Sequence, residues 1–365
     1  MGFVILILAI YGLFILHLIF GTQRIELFQP VESEPKNRFS ILVSFRNEKD
    51  NLPNLLQSLS ELNYPKELFE VIFIDDNSTD NYTIPHQSYS HSILQNKSDS
   101  LAPKKDAIEL GIQHAKHEWI VTTDADCLVP KNWLLSFDQY IQSQPTVQMI
   151  CGAVFTQTDH RFLQDFQLLD FMSLQSTTLG SFGISMPFMC NGANFCYHKR
   201  LFEELNGFEG NIHLASGDDV FLLQKALKKH TKQVHYLNTK ENTVLTQPVS
   251  SWNALLKQRI RWASKTSAYK SIYPKILAFV IFYGNIAFII AVLSLIFTPN
   301  LGFLIVAKII FDFVLILQSS HLAPKFHFKN YILSSLVYPI FTLLIGIKVL
   351  FVKQYTWKNQ THSVK

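Results

Sequence analysis

Apolar residues crowd the two ends of the chain, and between them runs of β-type and α-type periodicity alternate. The first run, Met1 to Phe20, carries no Lys, Arg, Asp or Glu. At about 1.5 Å per residue it is long enough to cross a hydrocarbon core of about 30 Å. No basic segment precedes it and no A-x-A site follows, so a cleaved signal peptide fits poorly and an uncleaved anchor is expected. Three more apolar runs, 276–297, 301–317 and 331–352, fill the C-terminal quarter. The middle one holds Lys308 and Asp312, i and i+4 on one helix face. A charge pair in hydrocarbon is expensive, so this helix is expected to pack against its neighbours or to lie partly in the interface.

Between the ends, a polar linker over 21–38 leads to the first β-type run, FSILVS (39–44). DNLPNLLQSLSEL (50–62) has helical spacing and FEVIFID (69–75) is strand-like. PKKDAIELGIQHAKH (103–117) reads as a helix with proline in its first turn. EWIVTTD (118–124) is a third strand, and a helix starts within PKNWLLSFDQYI (130–141). This βαβαβ order predicts a mixed, mainly parallel sheet with flanking helices, whose ligands bind at the carboxyl ends of the strands. Farther on, VQMICGAVF and MCNGANFCYH read as strands, with the long helix FLQDFQLLDFMSLQSTTL between them. The expected organisation is an anchor (1–20), a linker (21–38), an α/β domain (39–265), a basic juxtamembrane segment (266–275), a membrane region of about three helices (276–352) and a basic tail (353–365).

Composition is not that of a purely soluble protein: 365 residues, 48% hydrophobic and only 16% charged, enough for one sizeable domain plus membrane segments. The net charge of +4 is modest, and no nucleic-acid partner is expected. Its placement says more. Arg24, Lys36 and Arg38 follow the first apolar run, and Lys257, Arg259, Arg261, Lys265, Lys270 and Lys275 precede the second. By the positive-inside rule these flanks put the central domain in the cytoplasm; the plasma (inner) membrane is the expected location. Lys325, Lys329 and the tail lysines Lys353, Lys358 and Lys365 do not fit three further crossings, so one run is expected to be re-entrant or interfacial. The four cysteines, Cys127, Cys151, Cys190 and Cys196, form no C-x-x-C pair, and no His cluster has zinc spacing, so reduced thiols are expected.

Candidate chemistry concentrates in acidic pairs. Asp124 and Asp126 of TDADC sit where the third strand hands over to a loop. Carboxylates spaced i, i+2 there can hold a hard divalent cation, Mg2+ or Mn2+, and the diphosphate it bridges. Asp218 and Asp219 of SGDDVF open the amphipathic helix DDVFLLQKALKKH and can supply a general base, although a helix N-terminus favours negative charge for its own sake and Asp218 can serve as its cap. Asp75 and Asp76, with Glu48 nearby, can accept hydrogen bonds from a nucleotide, although D-N-S-T is also good turn chemistry. Lys105 can meet a diphosphate or stand exposed on the first turn of its helix. In QRIRW, Arg261 offers a guanidinium fork for phosphate, and Trp262, with Gln258 one turn earlier on the helix, can line the acceptor. That helix also reads as a basic surface for a membrane. The set points to sugar transfer from a nucleotide-sugar donor.

With these motifs in hand, residues 38–265 resemble the family 2 glycosyltransferases of GT-A (Rossmann-like) fold, with a membrane layout similar to ceramide glucosyltransferases. SFRNEKDNL resembles the family's first-strand motif, with Ser44 in place of proline. IDDNSTD resembles D-D-x-S-x-D, PKKDAIELGI resembles G-K-x-x-A-L-x-x-G-I, and NGANFCYHKRLFEELNGF resembles G-x-x-x-x-x-R-x-x-F-x-x-x-G-G-F. GDD stands for G-E-D, with Asp218 replacing glutamate, and QRIRW matches Q-x-x-R-W. The resemblance implies Asp126 as the direct metal ligand, Asp124 on the sugar or ribose, and Asp219 as the base of an inverting single displacement. It implies a UDP- or GDP-sugar donor and a lipid-linked or membrane-proximal saccharide acceptor among membrane lipids. A processive polysaccharide synthase and an inactive nucleotide-binding scaffold are the alternatives.

Overall fold

Sheet, flanking helices and apolar end helices are assembled from the elements that the periodicities outline. The computed structural model describes residues 2–31, 33–97, 100–212, 214, 216–299, 302–351, 354–357 and 360–363. The chain enters as α1 (Gly2–Thr22) and passes through β1 (Phe39–Phe45), α2 (Leu52–Ser60), β2 (Phe69–Asp75), β3 (Ser90–Gln95), α3 (Pro103–His114), β4 (Trp119–Asp124), β5 (Cys127–Leu128) and α4 (Trp133–Ser143). It continues with β6 (Met149–Gly152), β7 (Val154–Thr156), α5 (Phe162–Gly183), β8 (Phe195–His198), α6 (Lys199–Glu204), α7 (Asp218–His230), β9 (Val234–Leu237), β10 (Val244–Thr246) and α8 (Trp252–Ser264). Last come α9 (Tyr273–Ser294), α10 (Gly302–Leu317), α11 (Phe328–Phe351) and a hairpin of β11 (Gln354–Trp357) and β12 (Gln360–Ser363). The tail lysines Lys353, Lys358 and Lys365 fall outside the described residues.

The main sheet runs β3-β2-β1-β4-β8-β6-β9, and β5-β10-β7 form a second, small sheet. β3, β2, β1 and β4 are parallel, while β8 is antiparallel to both β4 and β6. The mixed, mainly parallel α/β architecture expected from the sequence is therefore present. β1 and β2 are buried on both faces, as parallel strands between helices are, which is why they read as apolar runs. β3 was not legible. SHSILQ is an edge strand with no fully buried residue, so it lacks that signal.

Register fixes where the site lies. Phe45 at the end of β1 faces Asp75 across one ladder, and Ser44 faces Asp124 across the other. The carboxyl ends of β2 and β4 thus flank that of β1, and Asp75 and Asp124 share one edge of the sheet.

α5 explains how the domain meets the apolar helices. Its residues from Asp165 to Met172 and from Gln175 to Ser181 are buried all round, because it lies between the strands and helices α1, α10 and α11. Against α1 it presents Gly180 and Gly183. A Cβ on Gly183 would lie 1.8 Å from the Gly21 carbonyl oxygen, and one on Gly180 would lie 2.5 Å from that of Leu18. These helices touch backbone to backbone, as small residues permit.

Helices α1, α9 and α11 are long and apolar enough to cross a membrane. α10 has 16 residues, or about 24 Å at 1.5 Å per residue, which is short of a hydrocarbon core of about 30 Å. The outer face of α11 is apolar, with Ile332, Leu336, Ile340, Leu344 and Ile347 exposed, while Asn330, Ser334 and Ser335 turn inward. That reversal suits a lipid surround. The Lys308–Asp312 pair closes at 2.7 Å, and the Tyr11 hydroxyl of α1 donates to Asp312 at 2.6 Å. Lys308 is buried against the rings of Tyr11 and Phe288. The expected packed helix is what forms.

Candidate active site

The two acidic pairs, far apart in sequence, meet at one ammonium group. Lys104, in the first turn of α3, places Nζ 2.7 Å from Asp124 and 3.6 Å from Asp218. Burial alone would lower its pKa, but Asp124 and Asp218 more than reverse this, and the pKa is raised. Burial pushes Asp218 up, yet Lys104, Lys265 and Lys105 outweigh it and hold the carboxyl below its ordinary value. Lys104 is therefore the lysine that touches a carboxylate of each acidic pair. Its position was available in the motif, because the second residue of PKKDAIELGI is Lys104.

The exposed position considered for Lys105 is not the one it takes, because its side chain is buried. Its Nζ is bonded to the carbonyls of Asn211 (2.6 Å) and Leu214 (2.7 Å) and lies over the Phe221 ring. Burial lowers its pKa to about 8. It ties down the loop that leads into Gly217-Asp218-Asp219.

Gly217 is the N-cap of α7, with φ +90°, a conformation glycine adopts without the Cβ penalty. Asp218 is the first helical residue and no side chain caps the helix, so the capping role considered for Asp218 is not taken. Asp219 accepts from the Gly192 amide at 3.0 Å and lies 3.9 Å from Lys265 Nζ. Thr122 of β4 donates to the Gly192 carbonyl at 2.6 Å. Gly192 thus bridges β4 and Asp219. A Cβ there would meet Asp218 at 3.2 Å, so glycine permits the approach.

Asp124 ends β4, and Asp126 follows in the turn before β5. Both are half-buried, and the Cys127 thiol lies 3.6 Å from Asp126 Oδ1. The pair offers only hard oxygen ligands at the carboxyl edge of the sheet, which fits Mg2+ or Mn2+.

Across β1, Asp75 spends its carboxylate on its own turn, accepting from the Ser78 amide (2.9 Å) and the Tyr82 hydroxyl (3.2 Å). The turn chemistry read in D-N-S-T is therefore real for Asp75. Asp76 accepts from Asn96 at 2.9 Å and has Arg46 at 3.7 Å. Burial raises its carboxyl above the ordinary value against the pull of Asn96 and Arg46. Glu48 accepts from Asn51 at 2.6 Å beside the start of α2. The loops after β1 and β2 are bonded together by Asn47 to Thr79 and by Lys49 to Asp80, so Glu48 and Asp76 belong to one rim.

α8 and the turn after it border the site and lead into the apolar α9. Lys265, just past its end and one turn beyond Arg261, reaches Asp219. Arg261 is half-buried. Trp262 packs edge-on against Phe171 at 5.6 Å and under the Arg259 guanidinium at 4.2 Å. Arg259 is buried and paired to Asp170 at 2.5 Å, and it donates to Gln258 Oε1. Sequence reading missed Arg259 and Lys265, because charge alone does not separate a buried anchor from a surface lysine.

Residues 40–205 match the family described as Glycosyl transferase family 2. The chain carries a family 2 glycosyltransferase domain. The match ends before Asp218 and before QRIRW, so the place of those residues at the site stands on geometry. Among curated proteins, a beta-monoglucosyldiacylglycerol synthase from a Nostoc species is 29% identical over 157 residues, covering 40% of this chain and 33% of that protein. The chain thus spans about a third of that relative's length. Among solved structures, a mannosyltransferase from Pyrobaculum calidifontis in complex with GDP-Man and Mn2+ has the same fold at 17% identity and a TM-score of 0.58. That likeness covers 96% of this chain and 98% of the other, so it takes in the terminal helices as well as the sheet.

Proposed function

We propose that the chain is an inverting glycosyltransferase that moves a sugar from a nucleotide-sugar donor to a lipid acceptor at the membrane surface. The observation that carries this reading is the convergence of Asp124 and Asp218 on Lys104, which makes one site of the two acidic pairs. Asp76 and Glu48 would hold the nucleoside at the rim, and Arg261 the diphosphate through its guanidinium fork. Asp126, with Asp124, would hold a divalent cation, which when bound neutralises charge growing on the leaving diphosphate. Asp219 would take the proton from the acceptor hydroxyl as its oxygen attacks the anomeric carbon; the diphosphate departs from the opposite face, and the configuration inverts. Lys104 and Lys265 hold the Asp218 carboxyl below its ordinary value.

A lipid acceptor is supported by α8, which runs from the site towards the apolar α9, and by the belt of exposed apolar side chains on α1, α9 and α11. The name of the Nostoc relative points to a diacylglycerol-type acceptor. The test is to incubate the full chain in vesicles containing diacylglycerol with UDP- or GDP-sugars and Mn2+, and to read the anomeric configuration of the product by NMR. Inversion with one donor supports the reading. Nucleoside diphosphate release that ignores the lipid, or retention of configuration, contradicts it.

A further inference from the structure

A second cluster of ligating side chains lies outside the active site, where the α/β domain meets α11. His160, Asp165 and His327 bring their donor atoms within 4.8 Å of one another. The two histidines are 167 positions apart, so no sequence spacing announces them. His160 sits in the loop after β7, Asp165 in the first turn of α5, and His327 just before α11.

We propose that these three residues form a binding site for a borderline divalent transition metal, Zn2+ being the best fit, that clips the membrane helix α11 to the glycosyltransferase domain. Two imidazoles and one carboxylate are a set that Zn2+ accepts, with a fourth position left for water. The hydrogen bonds around Asp165 leave the right atom available. Oδ2 accepts from the His327 amide (3.1 Å) and from Asn330 (2.7 Å), which uses both of its lone pairs. Among the described residues Oδ1 accepts from Thr158, at 2.7 Å, and faces His160 Nδ1 at 3.5 Å. One lone pair of a fully buried carboxylate is thus directed at the imidazole, with the Thr158 hydroxyl orienting it as a supporting partner does in metal sites.

The histidine rings stack at 4.4 Å with 30° between their planes, and both are exposed. Tetrahedral bonds of about 2.0–2.1 Å need ligand atoms about 3.3 Å apart, and exposed side chains can close that gap by rotating. His160 also holds φ +65°, an uncommon conformation for a residue with a side chain, which persists where surroundings demand it. The site would join three segments. Through α11 it would brace Phe341 and Tyr338 against Phe166 of α5, beside the α8 helix that carries Arg261.

The test uses the full chain, free of any histidine tag, stripped with EDTA and titrated with ZnCl2 in excess Mg2+, so that the hard-oxygen site is occupied. One Zn2+ per chain is expected, with a rise in Tm. His160→Gln and His327→Gln should each weaken binding about a hundredfold or more, because removing one of three ligands also removes the chelate. Thr158→Val should weaken it about tenfold. Asp126→Ala should leave it unchanged, which separates this site from the active site. Absence of Zn2+ binding in the unsubstituted protein, or binding that survives both histidine substitutions, overturns the proposal. Loss in Asp126→Ala alone also overturns it, since the metal would then belong to the active site.

Discussion

At the residue scale, Asp219 and Lys105 test different parts of the site. A base that deprotonates the acceptor is needed for transfer but not for holding the donor. Asp219→Asn is therefore expected to bind donor near-normally in calorimetry while its transfer rate falls by about 10²–10⁴-fold. Asp76→Ala should weaken donor binding first. Lys105 predicts a pH effect. Its pKa of about 8 in the folded chain lies below the ordinary 10.5. Between those values the unfolded chain binds more protons, so this group makes stability rise with pH across that window. Comparing Tm at several pH values from 7.5 to 10 should show a steeper rise in the unsubstituted protein than in Lys105→Met. Equal slopes would show that the buried ammonium does not titrate there.

At the element scale, the α1–α5 contact is the one least able to absorb change. Gly183→Val would drive side-chain atoms into the Gly21 backbone. The helices would have to part, at a cost above the roughly 1–3 kcal/mol of ordinary overpacking. The expected result is a large drop in Tm in detergent, with Gly302→Ala, where the added Cβ makes only an ordinary contact of 3.8 Å with Leu295, as a comparison for general glycine loss. Legibility in the sequence follows the same physics. β1, β2 and β4 are almost fully buried and read as apolar runs, and Asp75, Asp124 and Asp126 were legible because they end or follow such runs. β3 was not, for want of buried positions. Helical spacing alone does not separate Lys104 from Lys105, since neighbours on a helix point about 100° from each other; the motif position of Lys104 was the available signal, and packing shows which lysine meets the acids. Trp262 was expected to line the acceptor, and its contacts with Phe171 and Arg259 were invisible, because α5 and α8 meet only in three dimensions.

At the scale of the whole molecule, orientation and chemistry are linked. The basic flanks of the central domain argue for a cytoplasmic face, where nucleotide sugars are made. Asn96 is buried against Asp76, whereas Ser88 is exposed on the loop before β3. A cysteine at Ser88, in a Cys190→Ser background, should resist membrane-impermeant maleimide in intact cells and react after lysis. Labelling in intact cells would reverse the orientation and remove the donor's access.

The account rests most heavily on Asp124, Asp126, Asp218 and Asp219 acting as one metal-dependent site. The direct measurement is sugar transfer by the full chain in vesicles, with and without excess EDTA, beside the same assay on Asp126→Ala protein shown to be folded by its Tm. The account predicts transfer that stops in EDTA, returns with Mn2+ or Mg2+, and is absent from Asp126→Ala under all three conditions. Full turnover in EDTA, or by Asp126→Ala, would contradict it.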